Sequence, residues 1–480
     1  MWKGSMMSRS VKSIIALVVC AVLAACAFTA FGFSKSFGAN TDRSAGGKVI
    51  FFNFKPEATA EWEKVIEEYK RETGVTVSIT TPTGGQYEAR LKTEVEKYKN
   101  NPDAMPTLFQ INGPVGYANW KDYTADLTNS ILYRNLSDKY KDYAVKDGNK
   151  VVGVPYVTEN YGLIYNKALL ARYADLHNSK LKPEEDGGSF EEQINSFDKL
   201  KEVADDLQKR KDELGIDGAF ASAGFDLSSD WRFKTHLANM PLYYQFKDDG
   251  VEGQPQSING KYVDNFRKIF DLYISDSTTP VSQLSTKTGE DAVYEFALGK
   301  AVFYQNGTWA WGDLSKDGIK PDDVGMLPIY IGVPDEKNHG LAAGSENYWC
   351  INEKASPANK KATEDFLKWL LTSDYGKRAL AEKMGFVTPF EGFSKIKVDN
   401  PLNQAAVEYA NKEGKKPVKW VFVTMPSNGW KDDVGSDLLT YAQATKDGMT
   451  SMGANQAWDT LKKAFVEGWA KEYKIAHSKS

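Results

Sequence analysis

Between residues 48 and 112 the chain switches repeatedly between two periodicities, which restricts its fold more than any other feature. KVIFFNF (48–54) is a short apolar run suited to a strand buried on both faces. In TAEWEKVIEEYKRETG (59–74), Trp62, Val65, Ile66 and Tyr69 recur at i, i+3, i+4 and i+7, and Gly74 supplies a C-terminal stop. VTVSIT (75–80) alternates as a second strand. YEARLKTEVEKYK (87–99) sets Leu91, Val95 and Tyr98 on one side of a helix, and MPTLFQIN (105–112) reads as a third strand. Strand, helix, strand, helix, strand predicts a doubly wound α/β layer. Ligands of such sheets sit beyond the carboxyl ends of the strands, which singles out NFKPE (53–57), TPTGGQY (81–87) and QINGP (110–114). A chain of 480 residues exceeds one ordinary core, so two lobes are expected.

Composition and motifs exclude several functions. The formal net charge is −4 and no dense Lys/Arg patch stands out, so a nucleic-acid footprint is missing. Aromatic residues make up 12% of the chain, a richness compatible with a carbohydrate or peptide groove, although ordinary cores could absorb it. There is no GxSxG, HExxH, P-loop, GxGxxG or CxxC, and no cofactor is expected. The 4 histidines (His177, His236, His339, His477) are isolated in sequence, and calcium-loop spacing is absent. LYYQF (242–246), read as a strand, would send adjacent tyrosines to opposite faces, so no metal site is expected. Among 64 acidic residues some glycosidase-like pair could always be imagined, so their abundance carries no information.

The N-terminus indicates export. Lys3, Arg9 and Lys12 precede an apolar stretch starting at Ser13, the layout of a secretory signal. LAAC (23–26) resembles the bacterial lipobox. That resemblance implies a signal peptide over 1–25 and a diacylglyceryl group on Cys26, whose two acyl chains would hold the protein at the membrane. The alternative is an uncleaved anchor, because Ala27, Phe28, Phe31 and Phe33 prolong the apolar run to roughly 21 residues. Either reading puts the folded part at the outer face of the cytoplasmic membrane. The expected lipid-anchored flexible tether, 26–47, continues into SKSFGANTDRSAGGK (34–48), rich in Ser and Gly, whose roughly 14 residues would span on the order of 20 Å. Of the 3 cysteines, Cys20 lies in the signal and Cys26 is the anchor. Only Cys350 remains in the folded part, where no internal disulfide can form; it is read as a small buried strand residue.

Four stretches, in order, carry a family resemblance. VVGVPYVTENYGLIYNKALL (151–170) resembles the PxxxEAxxLIYNKxLL crossover of family 1 extracellular solute-binding proteins, the maltose-binding-protein type that feeds ABC importers. FALGKAVFYQNGTWAW (296–311) resembles that family's F..G..AM..NGPWAW. ENYWCINEKASPANKKATEDFLKWLLTSDYGKRAL (346–380) resembles its strand and SP.K..A..F..WL helix, and TPF (388–390) a later bend. The resemblance implies a periplasmic-binding-protein-like α/β fold (type II) whose two lobes are joined by hinge crossovers around a ligand cleft. Lobe one would hold 46–155 and 304–372, and lobe two 156–303 and 373–480. It further implies a monomer that captures a sugar or oligosaccharide by lobe closure and presents it to ABC transporter permease subunits. The rival class is an exported carbohydrate-active enzyme or surface adhesin; the rival solutes are glycerol phosphate, a polyamine or a metal.

The candidate binding residues follow from both readings. Trp309, matching the first Trp of the family's PWAW, and Trp311 are candidates for stacking on a pyranose; the alternative is that both plug the interlobe core. Glu159 aligns with the acidic residue of the family crossover and would accept hydrogen bonds from hydroxyls, or be a solvated hinge carboxylate. Asn53, Gln110 and Asn112 end predicted strands, where amides both donate and accept. The maltose-type third strand is followed by charged residues where this chain has NGP, so its solute is gripped differently. Lys55 and Glu57 are possible charged contacts or surface charges, and Gln86 and Tyr87 could close the cleft from the second loop. SSDWRF (228–233) and MPSNGWKDD (425–433) read as exposed loops, which makes Trp231 and Trp430 a second stacking wall or interlobe packing. Asn347 and Tyr348, before the returning strand, are expected to face the cleft.

Overall fold

The computed structural model describes residues 46–83 and 85–478. The signal, Cys26 and nearly all of the tether therefore lie outside the described residues. Ala45–Ser480 is one compact unit built on two sheets.

The first sheet joins β1 (Val49–Phe52), β2 (Val77–Thr80), β3 (Leu108–Asn112), β4 (Val145–Asp147), β5 (Lys150–Pro155) and β11 (Asn347–Ile351) in the order β2-β1-β3-β11-β5-β4. β1 runs parallel to β2 and β3, whereas β11 runs antiparallel to β3 and β5. The second sheet has the order β12-β10-β6-β8-β7. It contains β6 (Glu159–Asn166), β7 (Gly218–Phe220), β8 (Ala301–Gly307), β10 (His339–Gly344) and β12 (Lys416–Lys419), and β9 (Val324–Leu327) pairs with β6.

The two-residue period of a strand explains why the first sheet is covered on both sides. Val49 and Phe51 enter one apolar cluster with Trp62, Val65, Tyr69 and Trp349, while Phe52 enters another with Tyr87, Leu91, Val95 and Cys350. The helix Thr59–Thr73 ends as expected: Gly74 takes φ 76 and returns its N–H to Lys70 O. LYYQF lies inside the helix Asn239–Asp249 rather than on a strand, and its residues are buried over a full turn. Cys350 is a fully buried strand residue whose Sγ lies 3.1 Å from Val152 O.

The chain passes between the sheets three times. β5 leads through Tyr156–Thr158 into β6, β10 leads through Ser345 and Glu346 into β11, and the segment after Phe393 leads into the helix Pro401–Asn411 against the second sheet. The passages are tied together, Thr158 N donating to Val387 O at 2.8 Å and Ser345 Oγ to Val157 O at 2.5 Å. Strand pairing departs from the expected boundaries. β8, β9 and β10 lie within the 304–372 stretch expected in lobe one, or start just before it, yet all three bond to β6 of the second sheet. Conversely, Ala379–Phe393, expected in lobe two, pack into the cluster beneath the first sheet.

Candidate functional site

The loop after β1 is folded back by its own side chains. Asn53 Nδ2 donates to Lys55 O at 2.9 Å and to Thr81 Oγ1 at 3.2 Å, and its Oδ1 accepts Lys55 N at 3.2 Å, tying the ends of β1 and β2. Gln110 Oε1 accepts Phe54 N, and its Nε2 donates to Tyr156 Oη at 2.8 Å. Tyr87 Oη accepts Gln110 N at 2.7 Å and lies 3.0 Å from Gln110 O. Asn53, Gln110 and Tyr87 thus spend their polar atoms on the scaffold.

This scaffold aims Lys55 into a buried charge cluster. Its Nζ lies 2.5 Å from Glu159 Oε1 and 3.6 Å from Glu57 Oε1, and 5.5 Å from the centroid of the Trp309 ring. Lys55 and Glu159 are each only 5% exposed. Burial alone would lower the Lys55 pKa, but Glu159 and Glu57 override it and hold the ammonium above the usual lysine range. Burial pushes the Glu57 carboxyl up, with Lys55 offsetting only part of the effect.

The QNGTWAW segment places its two indoles through a glycine. β8 ends at Gly307, where an added Cβ would meet the Trp309 ring at 2.2 Å, so the indole lies over the strand end only because no side chain is there. Trp309 is half-buried and sits in an aromatic group with Trp231 at 6.0 Å, His236 at 5.4 Å and Trp420 at 6.3 Å. His236 is stacked on Tyr161 at 4.4 Å, and burial lowers its pKa. Glu57, Glu159, Trp309 and Trp311 line one cavity of about 490 Å³, together with Phe386 and Asn400. It lies where the end of β1, the β5–β6 passage and the end of β8 meet. Four residues chosen from sequence therefore converge.

Others do not. Trp430 is 1% exposed, inside the helix Asn428–Ala444, with Nε1 donating to Phe465 O at 3.0 Å and its ring against Trp469. It is a core residue and forms no stacking wall. Trp231 immediately precedes the π-helix Arg232–Leu237 and donates to Ser228 O at 2.9 Å; it does not lie on an exposed loop, but its half-buried ring is 6.0 Å from that of Trp309. Tyr348 is buried in the outer cluster of the first sheet and donates to Ser345 O at 3.0 Å. Gln86 is exposed ahead of its helix. Asn112 and Asn347 face each other across β3 and β11, and the Oδ1 atom of each is buried without a hydrogen-bond partner. Sequence reasoning missed Trp420, His236, Glu346 and Lys431. The first follows β12 directly, and a single aromatic after a short strand carries no local signal.

Among the described residues no group of three His, Cys, Asp or Glu side chains converges as metal ligands, and no helix is long and apolar enough to cross a membrane. Solved structures share the architecture. A solute-binding protein named RafE, in complex with raffinose, aligns with a TM-score of 0.64 at 18% identity over 89% of this chain and 99% of its own. A sugar transporter protein from Bacillus licheniformis with stachyose gives 0.61 at 16% over 88% and 100%, and maltose-bound MalE3 of T. maritima gives 0.60 at 20% over 88% and 99%. At these identities the likeness establishes the fold. No curated protein sequence matches the chain. A family model described as bacterial extracellular solute-binding protein matches residues 64–410, most of the chain, so the protein belongs to the bacterial extracellular solute-binding protein family.

Proposed function

We propose that this chain is the extracytoplasmic substrate-binding component of an ABC importer, capturing a neutral sugar or short oligosaccharide and delivering it to a membrane permease. The observation that carries this reading is the convergence of a half-buried indole, Trp309, with Glu57 and Glu159 on a single cavity of about 490 Å³. Small-molecule sites run to about 300–1,000 Å³ and combine apolar faces with a few placed polar groups. An indole offers a flat apolar face to the C–H groups of a pyranose, and carboxylates accept from its hydroxyls. The bound sugars of the structural neighbours, raffinose, stachyose and maltose, support the same solute class.

In this reading the first sheet with its covering helices is one lobe and the second sheet the other. The three passages at Tyr156–Thr158, Ser345–Glu346 and just before the helix Pro401–Asn411 are the hinge. The lobes close on the sugar as rigid bodies, the closed form docks on the permease, the binder is a monomer, and an acylated Cys26 keeps it at the outer face of the cytoplasmic membrane. The rival enzyme would turn its ligand over. Thermal-shift screening against neutral saccharides tests the reading, since a ligand binding only the folded state raises the melting temperature. Trp309→Ala should weaken calorimetric affinity at least tenfold, about 1.4 kcal/mol, with the saccharide recovered intact. Unchanged affinity in that variant, or a hydrolysed product, would refute it.

A further inference from the structure

Two opposite charges near this site do not meet. Glu346 lies in the β10–β11 passage, and Lys431 lies one turn inside the helix Asn428–Ala444. Lys431 is 7% exposed, yet among the described residues its ammonium makes no hydrogen bond and no ion pair within 4.0 Å. Every other lysine in this region is paired: Lys55 with Glu159, and Lys234 with Asp230 at 2.7 Å and Asp432 at 2.8 Å. Burial lowers the Lys431 pKa, and the field of Glu346 restores only part of it. Burial would raise the Glu346 carboxyl, but His236, Lys431 and Lys55 outweigh it and hold the group below the usual carboxylate range. Glu346 reaches His236 Nε2 only at 3.9 Å, too long for a hydrogen bond. An ammonium on so largely covered a side chain keeps little water and has no protein acceptor, so a ligand that supplies acceptors replaces solvation it lacks.

The surroundings decide which ligand. Asn347 directly follows Glu346 and faces Asn112 across the strands, and both Oδ1 atoms are buried acceptors lacking donors. Lys431 feels the carboxylates of Glu346, Asp432 and Glu88 as well as the Lys234 cation, so a second carboxylate placed against it would also face Glu346. An acceptor at Glu346 and a donor at Lys431, neither of them hydrogen-bonded to the other, match groups that both donate and accept, which is the chemistry of hydroxyls. His236 connects this place to the stacking face, touching Trp309 on one side and approaching Glu346 on the other.

We propose that Glu346 and Lys431 form a clamp for adjacent hydroxyls of a neutral saccharide, Glu346 accepting from one hydroxyl and Lys431 donating to its neighbour, next to the ring held on Trp309. This deepens the sugar-binding reading and rests on it. The clamp selects against uronates, whose carboxylate would face the Glu346 carboxylate.

The test is calorimetry of the wild-type protein, Lys431→Met and Glu346→Gln with maltose, raffinose, stachyose and digalacturonate, alongside the melting temperature of each ligand-free variant. Expected are binding of at least one neutral saccharide, at least tenfold weaker affinity in each variant, and a double variant less than additively affected. Digalacturonate should bind at least tenfold more weakly than the best neutral sugar. Lys431→Met should melt higher than wild type without ligand, because a largely desolvated and unpaired charge is gone, so lost affinity cannot be ascribed to misfolding. If Lys431→Met fails to fold, Glu346→Gln carries the test alone. Wild-type affinity for the neutral sugar in both variants overturns the clamp and leaves the sugar reading standing. Tighter binding of digalacturonate overturns the clamp as well. No binding of any neutral saccharide to the wild type overturns both.

Discussion

Removing one member of the Lys55–Glu159 pair should not cost the same from each side. The two charges are 2.5 Å apart and a second carboxylate, Glu57, waits 3.6 Å from the same ammonium. Coulomb attraction falls as the inverse distance, so Glu57 alone retains 2.5/3.6, or about 70%, of the pair's attraction. Glu159→Gln therefore leaves Lys55 with a partner and should cost about 1–2 kcal/mol. Lys55→Met leaves the buried Glu159 and the half-buried Glu57 with no cation, the situation in which breaking a buried pair costs about 3–5 kcal/mol. The Lys55→Met/Glu159→Gln double variant should lose at least about 1 kcal/mol less than the sum of the singles, because it buries one carboxylate instead of two. The pH dependence carries the same sign. In Lys55→Met the Glu57 carboxyl, already raised by burial, rises further; a raised carboxyl contributes stability below its unfolded pKa and loses it as pH rises through the folded one. The deficit of this variant against wild type should shrink from pH 7 to pH 5. Urea unfolding of all four proteins at both pH values reads this directly. Equal costs for the two single variants, with strict additivity and no pH dependence, would refute the reasoning.

Other substitutions address separate links. Gly307→Ala sets a Cβ at 2.2 Å from the Trp309 ring and should displace the indole, costing about 1–3 kcal/mol in thermal stability and most of the saccharide affinity; unaltered calorimetric affinity would contradict the placement. Trp430→Ala should destabilise the fold by about 3–5 kcal/mol in urea unfolding while the folded fraction keeps its affinity, since this ring packs against Phe465 and Trp469 rather than the site. Asp271, which accepts from Tyr441 Oη, is raised by burial from 3.8 to about 6, so it adds stability below pH 4 and loses it as pH rises through 6. The rise from 3.8 to about 6 sets an upper figure of roughly 3 kcal/mol, and 26% side-chain exposure reduces it to about 1–2. The stability of Asp271→Asn relative to wild type should therefore improve by that amount from pH 4 to pH 7, and a constant difference in urea unfolding would count against it.

What the sequence disclosed was local. The elements between 48 and 112 follow from period-2 and period-3.6 patterns, and the chain folds them within two or three residues of those limits. Which sheet a later strand joins depends instead on partners far away, which is why β8, read as opening the return of lobe one, pairs with β6 and β7. MPSNGWKDD looked like a turn because Asn-Gly is a turn signal. Ser427 instead caps a helix, its side chain accepting Trp430 N at 3.0 Å, and the Trp430, Val434, Leu438 spacing then buries the indole. Asn53 and Gln110 were sound as polar strand ends, but local polar side chains compete for backbone groups, and here the backbone took them. Trp309 and Glu159 were legible because a multi-residue motif surrounds each. Glu346 and Lys431 were invisible as single charges among 64 acidic and 60 basic residues.

The central claim is that two α/β halves joined by three passages close around a saccharide. Small-angle X-ray scattering of the full-length protein, without ligand and saturated with the saccharide that most raises its melting temperature, measures this most directly. Closure predicts a smaller radius of gyration and a shorter maximum dimension in the bound sample. Superimposable profiles at saturation would contradict it.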